Sequence, residues 1–367
     1  MHSTVALMVI AWAWPLQEAI TIAEGTTCSS CQIQVEEVAT LGGSDGDELL
    51  ADMMGDQVVR DAEGAYWLFS YTITDVLWRF AADGHARLVG APGQGPSEIN
   101  RIVGLGVTAS GGVLAVDLGN SRLVSLDSAG VTGAVVYHRE GRSVSDIELL
   151  AEDTVLFATM SRLPQGEGFG VPVHAVSLES GRVVGSLGAP VDEYQPQLTE
   201  RGQERRLSVR GRRVVTSHMW RYQLDVFDWP TRAMTKSIIR EAPWFPIVNL
   251  LQVNPPRTRP ASRVVGVEVT SDSTVLVLSR RPRPNWLAAY SETRRTQEGE
   301  RLPASSAMVF EAVVEHLDIK NGDVLSRAVV SGSPMNFVSG SEDLRIAILR
   351  DEEIIPRVHI YSLRILN

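Results

Sequence analysis

Cys28 and Cys31 form a Cys-x-x-Cys pair, a spacing that suits a redox disulfide or half of a zinc site. A four-ligand zinc site needs partners. The sequence has no second such pair, and its seven histidines are scattered singly. A thioredoxin-like role needs a helix start in a βαβ unit, whereas strand-like IQVEEV follows here. The pair therefore reads as a local disulfide or as two idle thiols near a terminus. Gly42-Gly43-Ser44-Asp45-Gly46 satisfies Gly-x-Ser-x-Gly, yet it lies in an acidic polar stretch without the strand-to-helix elbow that makes such a serine reactive. Ser44-Asp45-Gly46-Asp47-Glu48 carries oxygen ligands without EF-hand spacing, and reads as an exposed turn.

A different chemistry is concentrated between Glu241 and Met308. Nine arginines stand there against six acids, a local charge of +3 in a chain of −10. Trp244, Phe245, Trp286 and Tyr290 are interleaved with Arg280, Arg281 and Arg283. Arginine among aromatics is typical of binding hot spots, and the guanidinium fork suits an acidic peptide, polysaccharide or other anion. The competing reading is a solvated insertion whose aromatics are pinned to the body of the protein. The overall negative charge repels phosphate and argues against nucleic acid as a partner.

These groups need a scaffold, and the chain supplies it by repetition. Strand-like runs recur after tight-turn clusters: AYWLFS, VLAVDL, VLFATM, RVVTSH, TVLVLS and LRIAIL. Each is followed by a second run: VLWRFAADG, RLVSLDSAG, PVHAVSLESG, QLDVFDWPT, VVEHLDIKNG and RVHIYSLRI. The second runs begin about 44–51 residues apart, with one longer interval, which matches the period of a four-stranded propeller blade. An apolar strand precedes each pair, and an outer strand follows all but the last, where the sequence ends at Asn367. The unassigned strand Ile33–Leu41 can fill that vacancy and close the ring, removing the open edges. The expected fold class is all-β: one six-bladed β-propeller with four antiparallel strands per blade.

The second unit carries a recognisable motif. Residues 93–130 resemble the NHL-type repeat of six-bladed β-propellers, through Gly93, Gly95, Pro96, Glu98, Asp117, Asn120, Arg122, Asp127 and Gly130. Ser97, Ile99 and Ser110 depart from that pattern, and the other blades keep only its strand rhythm. The resemblance implies a bacterial, extracytoplasmic propeller in which Asp117 and Arg122 serve the blade's own structure. The fold also resembles the sugar-lactonase propellers, where acids and amides from the innermost strands hold a metal in the central channel. Candidates at matching places are Asp61, Asp146, Glu148, Glu268 and Asn336. That alternative implies calcium or another divalent ion and a hydrolase or lyase of the lactonase or peptidyl-hydroxyglycine-lyase type; otherwise no cofactor is expected.

Residues 5–16, VALMVIAWAWPL, form an apolar run the length of a signal-peptide core and too short to span a bilayer. Residues 1–19 are accordingly read as a signal peptide, despite a leading region with only His2 in place of Lys or Arg. Residues 20–32 are an N-terminal segment carrying the cysteines, and 33–367 the propeller, with an insertion at 280–308 in the fifth blade. Turns within each hairpin that are short fall on one face of the disc, here the turn face. The long stretches 162–171, 188–204, 241–262 and 280–308 fall on the other, the long-connection face. The functional expectation is an exported, monomeric, non-catalytic recognition module. It binds a protein, peptide or anionic ligand on that face through Arg280, Arg281, Arg283, Trp286, Tyr290, Trp244 and Phe245, with no integral membrane segment in the mature chain.

Overall fold

The computed structural model describes residues 19–22, 25–42, 54–70, 75–82, 85–136, 144–159, 171–188, 204–246, 253, 257–291, 294–295, 301–302, 306–352 and 355–366. A short strand β1 (Ala19–Ile22) and a ten-residue strand β2 (Gln32–Leu41) lead into the repeating part. Blade 1 is β3 (Met54–Arg60), β4 (Tyr66–Ser70), β5 (Leu77–Phe80) and β6 (Ala86–Val89). Blade 2 is β7 (Ile102–Val107), β8 (Val113–Asp117), β9 (Arg122–Asp127) and β10 (Gly130–Val136). Blade 3 is β11 (Val144–Ala151), β12 (Thr154–Thr159), β13 (Val173–Ser177) and β14 (Val183–Leu187). Blade 4 is β15 (Arg205–Arg210), β16 (Arg213–His218), β17 (Gln223–Asp228) and β18 (Ala233–Arg240), with β1 added in parallel to the outer edge of β18.

Blade 5 begins with β19 (Arg263–Val269) and β20 (Thr274–Pro282). Its insertion holds α1 (Trp286–Ser291), the paired strands β21 (Arg294–Arg295) and β22 (Arg301–Leu302), and α2 (Ser306–Val309). The blade resumes with β23 (Phe310–Asp318) and β24 (Val324–Ser331). Blade 6 is β25 (Ser333–Phe337), β26 (Arg345–Glu352) and β27 (Ile355–Leu366), completed by β2. That last pairing is antiparallel and runs from Gln32 opposite Leu366 to Leu41 opposite Val358. The ring is thus six four-stranded antiparallel blades closed by β2, as the repeat spacing predicts, with β1 as an extra outer strand on blade 4.

The burial pattern explains why these strands read as apolar runs rather than as clean alternations. Every residue of β4 and of β8 is buried, because each blade is packed on both faces and every side chain of a middle strand meets a neighbour. The core is correspondingly divided into six clusters, one at each seam between adjacent blades. Trp67, Phe69, Leu77 and Ile99 fill the seam between blades 1 and 2. Each such side chain contributes about 1.5–3 kcal/mol by leaving water.

The innermost strands β3, β7, β11, β15, β19 and β25 run from the long-connection face to the turn face and surround the channel. Side chains clasp them to one another. Asn336 Oδ1 accepts the Val58 amide at 3.1 Å and its Nδ2 donates to the Val58 carbonyl at 3.3 Å. Gln57 Oε1 accepts the Leu105 amide at 2.9 Å, while Gln57 Nε2 donates to Asp146 Oδ1 at 2.5 Å. Asp146 Oδ2 accepts the Leu207 amide at 2.8 Å, and Ser208 Oγ accepts that of Val269 at 3.0 Å. Blade 2 leaves room for the long reach from Gln57 to Asp146: a Cβ on Gly104 would stand 3.4 Å from Gln57 Oε1.

Candidate functional site

On the long-connection face, the fifth blade places its arginines differently from the sequence expectation. The stretch between β20 and β23 runs from Arg283 to Val309, and Arg280 and Arg281 pair with Ala312 and Glu311 in the β20–β23 ladder. Arg281 Nε donates to Glu311 Oε1 at 2.6 Å and its guanidinium lies 5.7 Å from the Trp244 ring centroid. Arg283 donates to the Phe310 carbonyl at 2.9 Å and to that of Ala307 at 3.2 Å. Arg280 covers the Phe310 ring at 4.2 Å. Arg280 and Arg281 are thus engaged within the β20–β23 pair, and Arg283 fastens the insertion to its blade. Phe245 is corrected from surface to core: it is 3% exposed, edge-on to Tyr222 and Trp244.

What remains outward belongs to α1. Leu287 is 51% exposed and Tyr290 37%, beside the half-buried Trp286. α1 rests on α2, whose Ala307 and Val309 are buried and which also meets β25 and β26 of blade 6. A short helix is thus held across two blades with an apolar side chain and a phenol facing solvent.

The five metal candidates separate in the channel. Asp61 lies in the first hairpin turn of blade 1, where it accepts the Ala65 amide at 2.8 Å, Trp67 Nε1 at 2.7 Å and Arg79 Nε at 3.4 Å. It is structural. Asn336 and Asp146 are the interblade clasps already described. Glu148 on β11 and Glu268 on β19 share a cavity of about 360 Å³ at the channel's mouth on the turn face. Burial raises the Glu148 carboxyl well above its usual range, with Glu268 and Asp146 adding repulsion. Burial also pushes Glu268 up to about 7, against the Ser208 hydroxyl and the Arg210 charge. Among the described residues, no group of three or more His, Cys, Asp or Glu is placed to share a metal ion. Glu342 and Asp343 also line the cavity.

A polar network not anticipated from the sequence occupies blade 4 near the long-connection face. His218 at the end of β16 meets Asp225 of β17, Nε2 to Oδ2, at 3.0 Å. Asp225 Oδ1 also accepts Ser237 Oγ at 2.7 Å and Gln223 Nε2 at 3.0 Å. Burial, then the Arg205 charge, lowers His218 to about 4 despite Asp225. Burial raises Asp225, but hydrogen bonds led by His218 outweigh it and bring the group down to about 2. At neutral pH the imidazole is uncharged, so the donors Ser237, Gln223 and the Nε2 proton hold the carboxylate, rather than a full ion pair. Three strands contribute, which is why no local sequence signal marks the network.

The remaining motifs are placed as follows. Asp117 is fully buried and accepts the Asn100 and Arg101 amides, Asn120 Nδ2 at 2.7 Å and Arg122 Nε at 3.1 Å. Glu98 Oε2 accepts the Gly95 amide at 2.7 Å, and Arg122 donates to the Glu98 carbonyl. The motif of blade 2 is thus a corner that fixes one crossover. Cys28 and Cys31 are joined in a disulfide. Thr27 beside it donates its amide to the Val324 carbonyl of β24 at 2.8 Å. Residues 43–48 and 1–18, with the serine motif and most of the proposed signal peptide, lie outside the described residues, as do most of 162–171, 188–204 and 247–256. No helix among the described residues is long and apolar enough to cross a membrane.

Solved structures share the fold at low sequence identity. A Bacteroides fragilis protein assigned as exported is 10% identical, with a TM-score of 0.57, over 95% of this chain and 100% of its own. A luciferin-regenerating enzyme is 11% identical at a TM-score of 0.50, over 90% of this chain and 95% of its own. The virginiamycin B lyase of Staphylococcus aureus is 10% identical at 0.47, over 90% of this chain and 100% of its own. Such likenesses extend to the fold alone. No protein-family model and no curated protein matches the chain.

Proposed function

We propose that the protein is an exported recognition propeller of the NHL-repeat-like class that binds a protein or peptide on its long-connection face. The observation that carries this reading is α1, with Leu287 and Tyr290 turned to solvent on a support built from α2, which Arg283 ties to the blade. An anchored helix offering an apolar and an aromatic side chain can dock without first ordering itself, which lowers the cost of association. Because Arg280, Arg281 and Arg283 are engaged within the blade, an apolar or aromatic partner surface fits better than a polyanion.

A photo-crosslinking residue at position 287, compared with one at Lys320 on the turn face, tests the reading in extracts of the source cell. A single dominant adduct at 287, lost on Tyr290→Asp, is expected. Adducts only at 320 would place recognition on the wrong face. The alternative, a hydrolase or lyase with a divalent ion in the channel, rests on Glu148 and Glu268 alone. Melting with calcium, zinc or chelator checks it, since a ligand of the native state must raise stability.

A further inference from the structure

The cavity at the channel mouth is remote from α1 and has its own chemistry. Its volume of about 360 Å³ holds roughly ten waters at about 30 Å³ each, far more than one bare ion needs. Glu148 and Glu268 enter it from opposite sides of β15, and each receives one long side-chain hydrogen bond, from Ser339 and Ser208, at 3.4 Å. The two arginines in the wall serve other groups: Arg210 donates to the Val269 and Thr270 carbonyls, Arg345 to Tyr66 and Asp343. The Ser341 hydroxyl, in the same wall, is shielded from solvent and has no hydrogen-bond partner among the described residues. Phe337 and Val338 add an apolar side.

Half-buried carboxyls held only by long side-chain hydrogen bonds are stabilised when a cation or donor reaches them. The geometry points to a binding site for an organic cation, a primary ammonium or guanidinium on a short carbon chain. Its N–H groups reach Glu148, Glu268 and the Ser341 hydroxyl while its methylenes lie along Phe337 and Val338. A metal ion would use neither the volume nor the apolar wall. The cation is supplied either by a free diamine or by a lysine or arginine side chain entering from the turn face. This site is independent of recognition at α1, and either can fail without the other.

The test is thermal melting and calorimetric titration of the full chain with putrescine, agmatine, N-acetyl-lysine amide and a lysine-containing tetrapeptide, at matched ionic strength, beside calcium chloride. At least one amine or guanidine is expected to give a saturable rise in Tm, with affinity reduced about tenfold or more in Glu148→Gln/Glu268→Gln. The single variant Glu268→Gln serves if the double variant fails to fold. Saturation by putrescine or agmatine identifies a free diamine, whereas saturation by the lysine derivatives alone identifies a peptide side chain. No saturable response to any of the four, an equal response in the variants, or a response to calcium alone overturns the proposal.

Discussion

His218 shows how a single side chain sets a pH range for the blade that contains it. Its folded value of about 4 lies below the usual value near 6.5, so as pH falls from about 6.5 the unfolded chain takes up a proton that the native state refuses. Stability is therefore lost between about pH 6.5 and about 4, by up to roughly 3 kcal/mol at one residue. Asp225 acts lower: with a folded value of about 2, its contribution is present above about 3.8 and disappears as pH falls through 2. Melting curves for His218→Gln, which keeps a donor near Asp225, should lose the slope between 6.5 and 4 and show a smaller one below it, held by Gln223 and Ser237. Gly340 makes a steric statement of similar weight. Its φ is +80°, and a Cβ there would lie 2.2 Å from the Arg60 carbonyl oxygen. Gly340→Ala should therefore cost on the order of 2 kcal/mol or more, read as a fall in denaturation midpoint.

The strands themselves were legible because their patterns are local. AYWLFS and VLAVDL announce middle strands that have a blade on both sides, and the predicted runs coincide with β4 and β8. The outer turns close on positive-φ glycines, Gly130 and Gly322 among them, that end the runs RLVSLDSAG and VVEHLDIKNG. What joins one blade to the next was not legible. Asp146 and Asn336 read as metal ligands because acids and amides on inner strands serve both purposes, and only the positions of Leu207 and Val58 decide between them. Arg280 and Arg281 read as contact residues because nothing local says that β20 extends through Pro282 to meet Glu311 and Ala312. The clasp reading has its own consequence. Asn336→Leu leaves the buried Val58 amide without its acceptor, which costs about 1–3 kcal/mol. Asn336→Asp retains the acceptor and should lose less; equal losses from the two variants, measured by denaturant unfolding, would remove the clasp from the account.

Closure is a property of the whole ring, and it rests on the strand farthest in sequence from its partner. β2 pairs with β27 along its full length, and Glu37 accepts hydrogen bonds from His359 and Tyr361 of that strand at 3.0 Å. Ile33 and Val35 pack into the seam with blade 5, and Leu41 into the seam with blade 1. Removing β2 would uncover both seams at once and expose the edge of β27, which can then pair with another chain. The segment before it is attached differently. β1 adds four residues to the outer edge of β18, and Thr27 makes one amide contact to β24, so neither stands between two blades. Deleting residues 1–31 should therefore lower Tm by only a few degrees and leave a monomer, whereas deleting residues 1–41 should abolish cooperative melting or yield strand-exchanged oligomers on gel filtration. A chain lacking residues 1–41 that melts cooperatively as a monomer near the full-length temperature would show that the ring is held by its seams and inner clasps alone, without the closing strand.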